Sequence, residues 1–229
     1  MNRTVLVVPT VVALAAWSLS QRPQREVELL FASDFYHNQV HANEGELWYG
    51  LFPLGTAWEL DSTRIHVTPL NAGCIENGLR VTVSRAEHPL LLLRGLPDLH
   101  LGRVQSVNAS DFRLRPGESR EFTWRGRPFR FQARGSPGLQ PRNYELSLVD
   151  RMAGLTQRIV TYHAPHGRDG IAWPPDVIWI GDLDGDGKLD FFADLKMFET
   201  PGQWALFLSS AAQPGELVRK VVQFDGMTC

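Results

Sequence analysis

Residues 176–195 read Asp-Val-Ile-Trp-Ile-Gly-Asp-Leu-Asp-Gly-Asp-Gly-Lys-Leu-Asp-Phe-Phe-Ala-Asp-Leu, and this stretch decides what fold the chain is expected to have. Apolar, aromatic and β-branched residues at 177–180, and again at 189 and 191–193, flank an acidic centre. Such residues favour strands over helices. The stretch therefore predicts a strand, a polar loop and a second strand within a small C-terminal sheet.

The acidic centre has the spacing of a loop that wraps around a cation. Its carboxylates occupy positions 1, 3, 5 and 9, which are Asp182, Asp184, Asp186 and Asp190. Gly187 stands at position 6, where the backbone turn favours glycine, and Lys188 at position 7 offers its backbone carbonyl. Four carboxylates this close repel one another, whereas a hard divalent cation with six to eight oxygen ligands turns that repulsion into binding. The spacing predicts a calcium site, and the alternative is a solvated acidic turn.

The residues around the loop distinguish it from a helical calcium hand. A helix-loop-helix site places a bidentate Glu at position 12, but that position is Ala193 here. Gly181 to Asp190 followed by an apolar strand closely resembles the calcium-binding repeat of integrin α-subunit propellers and of bacterial proteins of the FG-GAP and VCBS type, over residues 176–210. The resemblance implies that calcium is bound by Asp182, Asp184, Asp186, the carbonyl of Lys188, and Asp190.

The resemblance is limited by the absence of repetition. Propellers are built from several blades, and this motif occurs once in 229 residues. We therefore expect a single blade-like unit that packs against, or is continuous with, a separate β domain.

The rest of the chain also has the pattern of strands. Ile65 and Val67 alternate with polar residues, as do Leu79, Val81 and Val83. Short strands separated by Gly and Pro turns continue to about residue 162, with hardly any helical periodicity. The predicted fold class is all-β: an antiparallel sandwich or barrel-like meander with a C-terminal calcium-loop sheet. The predicted divisions are a signal peptide at 1–20, an antiparallel β domain at 21–165 and a calcium-binding β unit at 166–229.

The first twenty residues predict export. Arg3 precedes an apolar run from Val5 to Trp17, and Ser18 and Ser20 suit a cleavage site. We expect cleavage near Ser20 and a periplasmic or secreted protein with no stable membrane insertion after cleavage; the alternative is an uncleaved anchor. The formal net charge is −2, and basic residues are dispersed among acidic ones, which argues against nucleic acid as a partner.

Export also affects the interpretation of the cysteines. Cys74 and Cys229 are the whole complement. In an oxidising compartment an even pair favours a disulfide, which would join the C-terminus to the N-terminal half. Two free thiols are the alternative.

Signatures of catalysis are sparse. The chain has no Gly-x-Ser-x-Gly elbow, no His-Glu-x-x-His and no phosphate-binding Gly loop. His37 with His41, and His163 with His166, have spacings that could hold zinc, but both pairs favour plain turns or loops. Asp34, His37 and His163 could supply an acid and a base in a β-scaffold enzyme, although nothing selects them.

Two functions are compatible with these features. The first is an exported, non-enzymatic calcium-binding β protein with structural calcium, acting as an adhesion, surface or ligand-binding module. Its partner would be a protein or a carbohydrate, which Trp48, Trp58 or Trp173 would contact if they line a groove; buried, they are core residues. The alternative is an exported hydrolase with a structural calcium site. The sequence does not decide whether the protein is an enzyme, but it favours a non-enzymatic function.

Overall fold

The protein is built from antiparallel β-sheets. The computed structural model describes residues 26–36, 39–72, 75–97, 99–107, 112–136, 143–163, 174–196 and 202–226. These residues form sixteen strands and no α-helix, which confirms the predicted all-β class. Within the same ranges, no helix has the length and apolarity that crossing a bilayer requires.

The first sheet takes up the N-terminal part of the chain. Its order is β1-β6-β3-β4-β5-β2, and β7 pairs with β4. Ile65 is fully buried while Arg64 and His66 are exposed, as the alternation in this segment predicts. The strands are β1 (Glu28–Leu30), β2 (Asp34–Tyr36), β3 (Leu47–Leu54), β4 (Ala57–Ala72), β5 (Ile75–Val83), β6 (Leu92–Arg94) and β7 (Gly102–Val104).

The second sheet is a four-stranded meander. Its order is β12-β11-β10-β9, and every pair is antiparallel. The turn between β9 and β10 consists of Arg125 and Gly126, with φ angles of 46° and 78°. Two positive φ angles are typical of the two-residue turns that match the twist of a hairpin. The strands are β9 (Ser119–Trp124), β10 (Arg127–Arg134), β11 (Tyr144–Asp150) and β12 (Leu155–Tyr162).

The third sheet contains the acidic stretch. Its order is β16-β15-β14-β13-β8, so four consecutive C-terminal strands form a meander and β8 extends it. The β13–β14 pair is the predicted strand, loop and strand. The strands are β8 (Ser106–Val107), β13 (Asp176–Gly181), β14 (Asp190–Asp194), β15 (Gly202–Leu208) and β16 (Arg219–Gly226).

The third sheet is the middle layer of the molecule. Alternate residues of β14 and β15 point into two different cores: Phe191 and Phe207 pack with the four-stranded sheet, whereas Phe192 and Leu206 pack with the seven-stranded sheet. A strand that is buried on both faces has a continuous apolar sequence, which is what residues 191–193 show. The predicted boundary between residues 165 and 166 lies outside the described residues, and the division into two domains stays a prediction.

Candidate metal site

The acidic loop connects two strands of the middle sheet. Strand β13 ends at Gly181, β14 begins at Asp190, and residues 182–189 form the loop between them. Gly187 has a φ of 85°, and Gly185 has a φ of 77°. Both lie in the left-handed region, which favours glycine, and Gly187 is the residue for which the loop spacing predicted this conformation.

Three of the predicted ligands come together in the fold. The carboxylates of Asp182, Asp184 and Asp190 each offer an oxygen, and these oxygens lie within 4.8 Å of one another. Asp190 is fully buried and Asp182 is 7% exposed. This acidic group could hold a metal ion, because its donors are all oxygens and converge on one point.

Asp190 forms the base of the group. Its Oδ1 accepts hydrogen bonds from Ser209 N at 2.8 Å and Ser209 Oγ at 3.1 Å, and its Oδ2 accepts one from Leu183 N at 2.8 Å. Burial, together with the neighbouring Asp184, raises the pKa of Asp190 to about 7, although these hydrogen bonds lower it. A bound cation would remove this penalty by neutralising the buried charge.

The carboxylate of Asp182 shows whether a metal ion fits between these side chains. Its Oδ2 accepts hydrogen bonds from Gly187 N and from Arg125 Nη2, both at 3.0 Å. Its Oδ1 is buried and accepts no hydrogen bond of normal length and angle, although the backbone N–H of Gly185 lies near enough to the carboxylate to lower its pKa. Burial is also the main reason that the pKa of Asp182 is raised. An unpartnered buried carboxylate oxygen is costly, and a metal ion bound beside it would supply the missing partner.

Asp186, the fourth predicted carboxylate ligand, is not in this group. Asp186 Oδ1 accepts a hydrogen bond from Lys188 N at 2.7 Å, and Lys188 Nζ lies 3.4 Å from Asp186 Oδ2. Asp186 Oδ1 also lies 3.2 Å from Ser209 Oγ, which has a single hydrogen to share between Asp186 and Asp190. The Asp186 carboxylate therefore lies next to the group, because the Ser209 hydroxyl that it contacts also reaches Asp190. The roles of Asp186 and of the Lys188 carbonyl as ligands stay predictions.

Residues distant in sequence support the loop, and the spacing argument did not identify them. Ser210 Oγ donates to Asp184 Oδ2 in a short hydrogen bond, next to the Ser209 contacts described above. His100 Nδ1 donates to the Asp184 backbone oxygen at 2.9 Å. Trp124 Nε1 donates to the Gly187 oxygen at 3.4 Å, beside Arg125 in the β9–β10 hairpin. No motif marks these residues, because they reach the loop only through the packing of the sheets.

The remaining candidate residues do not form a second such centre in the described part of the chain. Asp34 is bound by Arg80 through two hydrogen bonds, and His163 contacts Asn143. Trp48 is 2% exposed in the core and Trp58 is half-buried against it, so Trp48 cannot line a groove. Several other candidates lie outside the described residues: His37, His166, Trp173, Cys74, Cys229 and the predicted signal peptide.

Taken together, fold and site define an all-β protein with a three-carboxylate group, in a loop of its middle sheet, that could hold a metal ion. Comparison with protein-family models, with curated proteins and with solved structures finds no match to this chain.

Proposed function

We propose that the protein is an exported calcium-binding β protein in which calcium has a structural role. The observation that carries the proposal is the buried, unpartnered Oδ1 of Asp182, which lies in a group with the carboxylates of Asp184 and Asp190. A single cation beside this atom would satisfy it and neutralise its neighbours. The fold around it would then serve as an adhesion, surface or ligand-binding module whose partner is a protein or a carbohydrate.

Calcium is the metal that this donor set favours. The three side chains offer only carboxylate oxygens, the ligands of hard cations, whereas zinc and copper sites usually include nitrogen or sulfur ligands as well. The loop also resembles the calcium repeat of the FG-GAP and VCBS type in its spacing and in its strand flanks. Several carboxylate oxygens already accept hydrogen bonds, so we expect water to complete the coordination.

A structural role follows from the position of the loop. The residues that hydrogen-bond to the loop belong to the β9–β10 hairpin, to the segment around His100 and to the segment after β15. A metal that stabilises the loop therefore stabilises a junction between the sheets, in the way that bound metals couple to folding. Export to the periplasm or the medium, after cleavage near Ser20, would expose the site to calcium at the concentrations that weak extracellular sites require, with Kd of about 10⁻⁴–10⁻³ M.

Replacing Asp184 with Ala should abolish the stabilisation by calcium. Asp184 is the least buried member of the group, so its removal deletes a ligand with little direct damage to the core. At a calcium concentration about 100 times Kd, binding stabilises the folded state by about 2.7 kcal/mol. For a chain of this size that corresponds to an increase in Tm of about 5–10 °C. Thermal unfolding with calcium and with chelator should show the increase in the unmodified protein and none in Asp184→Ala.

The matched control is Asp225→Ala. Asp225 is an exposed aspartate on β16, and its carboxylate accepts a hydrogen bond from Gln223 rather than from the loop. This variant should keep the full increase in Tm with calcium. An equal increase in Asp184→Ala would contradict the assignment of the loop.

One cluster favours the hydrolase as a second candidate. His66 Nδ1 donates to Glu44 Oε1 at 2.8 Å, and His66 Nε2 lies 3.1 Å from Ser84 Oγ, which is the order of contacts in a hydrolytic triad. The contact with His66 also lowers the pKa of Glu44. Against this candidate, all three residues are exposed and Ser84 Oγ also lies 3.2 Å from the Arg64 oxygen. The non-enzymatic proposal is therefore preferred.

An esterase assay decides between the two. If the cluster is catalytic, Ser84 Oγ attacks the carbonyl of p-nitrophenyl acetate, His66 takes the hydroxyl proton, p-nitrophenolate leaves, and water then releases acetate. Ser84→Ala should reduce the rate at least about tenfold, since loss of a nucleophile in a triad commonly costs far more than that. Ser119→Ala, an exposed serine on β9, should leave the rate unchanged. Equal rates in all three proteins would eliminate this candidate.

A further inference from the structure

A cavity lies directly beside the metal loop, on the side of the four-stranded sheet. Its volume is about 170 Å³, and it is formed by the β9–β10 hairpin, the second half of the loop, and residues 216–217. A cavity of about 150 Å³ accommodates a benzene ring, so this one has the size of a single small ring. The residues that line it are Trp124, Arg125, Arg127, Phe129, Asp150, Gly187, Lys188, Leu189, Glu216 and Leu217.

The cavity has an apolar base and a charged rim. Trp124, Phe129 and Leu189 are almost completely buried and belong to the core between the second and third sheets. Arg125 and Lys188 are exposed, with 46% and 70% of their side chains accessible. A ligand that suits both parts has a flat or apolar body and a charged group at one end.

The charged residues of the rim differ in where their ion-pair partners lie. The two acidic lining residues have cationic partners outside the metal loop: Asp150 pairs with Arg127, and both oxygens of Glu216 bind Arg219. Arg125 and Lys188 differ, because their carboxylate partners are Asp182 and Asp186 of the metal loop itself. These two cations therefore depend on the loop for their neutralisation.

Calcium would change this balance. The four aspartates of the loop carry four formal negative charges, and Arg125 and Lys188 balance only two of them, so the loop beside the cavity has an excess of two negative charges. A bound divalent cation would cancel this excess. Arg125 is close enough to the loop to respond directly to a bound cation, since its Nη2 lies 3.0 Å from Asp182 Oδ2. The loop carboxylates would then no longer repel an anion in the cavity, and guanidinium and carboxylate groups pair well through two parallel hydrogen bonds.

We propose that the cavity between Trp124, Phe129 and Leu189 binds a ring-sized organic carboxylate at Arg125 and Lys188, and that calcium in the adjacent loop strengthens this binding. The inference rests on the proposed calcium function and adds to it a ligand class and a link between two sites. Because linkage is reciprocal, the carboxylate must strengthen calcium binding by the same factor. Couplings of this kind commonly change affinity by about 5- to 150-fold.

Benzoate is the probe, titrated calorimetrically into the full chain at matched ionic strength, with calcium and with chelator. We expect benzoate to bind at least about fivefold more tightly with calcium, which is the lower end of that range. Benzamide, the neutral counterpart of the same shape, should show no response to calcium. Calcium titrated with and without benzoate should show the same factor.

Two variants test the residues. Lys188→Gln removes one cation but keeps the backbone carbonyl in the loop, and it should reduce the gain that calcium gives to benzoate while calcium still binds. Arg151→Gln removes an exposed cation that pairs with Glu121 and does not line the cavity, and it should have no effect.

The outcomes separate the inference from the function on which it rests. If calcium binds but benzoate affinity is the same with chelator, or benzamide binds as well as benzoate, the carboxylate site is wrong and the calcium function stands. If calcium does not bind, both are overturned.

Discussion

Replacing Asp190 with Ala is expected to destabilise the protein by about 3–5 kcal/mol and to abolish metal binding. The fully buried carboxylate accepts hydrogen bonds from Leu183 N, Ser209 N and Ser209 Oγ. Alanine would leave the N–H groups of Leu183 and Ser209 unpaired, and each buried unsatisfied group costs about 1–3 kcal/mol. The Ser209 hydroxyl would keep Asp186 as an acceptor. The free energy of unfolding in urea, measured with chelator present, gives the size of the loss.

Asp190→Asn separates the two roles of this side chain. Asparagine keeps the shape and an acceptor oxygen for Ser209, but it removes one of the three negative charges that would attract the cation. We expect it to be less destabilised than Asp190→Ala in chelator and to show no increase in Tm with calcium. A loss below 1 kcal/mol in Asp190→Ala, or a full calcium response in Asp190→Asn, would contradict the role of Asp190 in the site.

Phe191→Ala is expected to destabilise the protein by about 3–5 kcal/mol, which is the usual range for removing a phenylalanine from a core. The Phe191 ring is fully buried in the middle sheet. Its centroid lies 4.4 Å from that of Phe207 in a stacked pair and 5.2 Å from that of Phe131 in an edge contact with the four-stranded sheet. The substitution would leave a cavity between two sheets, because neither neighbour can fill the space alone.

The control for Phe191 is an exposed apolar residue. Leu101 is 54% exposed, and Leu101→Ala should change the free energy of unfolding by no more than about 0.5 kcal/mol. Both variants are compared by urea unfolding with the same calcium concentration. A loss of less than 1 kcal/mol in Phe191→Ala would be inconsistent with the middle position of this sheet.

The fold class was predictable because it depends on local patterns. The alternation around Ile65 and the turn residues between short apolar runs suffice for an all-β assignment, and both signals are carried by neighbours in sequence. The layering was not predictable in the same way. Residues 191–193 form a continuous apolar run, which indicates burial on both faces but does not identify the sheets that cover them. The pairing of β8 with β13 joins segments about seventy residues apart, and no local pattern encodes it.

The same distinction between local patterns and long-range contacts applies to the candidate site. Regular spacing predicted the loop and the conformation of Gly187, because an ion-binding loop is a local structure. The contacts of Ser209, Arg125 and His100 with the loop depend on how three sheets pack, so their positions in the sequence carry no signal. The unpartnered Oδ1 of Asp182 is likewise visible only in the folded protein, and it is the strongest support for a bound cation.

A calorimetric titration of calcium into the chelator-treated, unmodified protein would show directly whether this loop binds calcium. We expect one calcium ion per chain, bound with a Kd of about 10⁻⁴–10⁻³ M or tighter, and no such binding by Asp184→Ala under the same conditions. A titration that releases no heat of binding, together with an unchanged Tm at saturating calcium, would contradict the central claim that this loop is a calcium site.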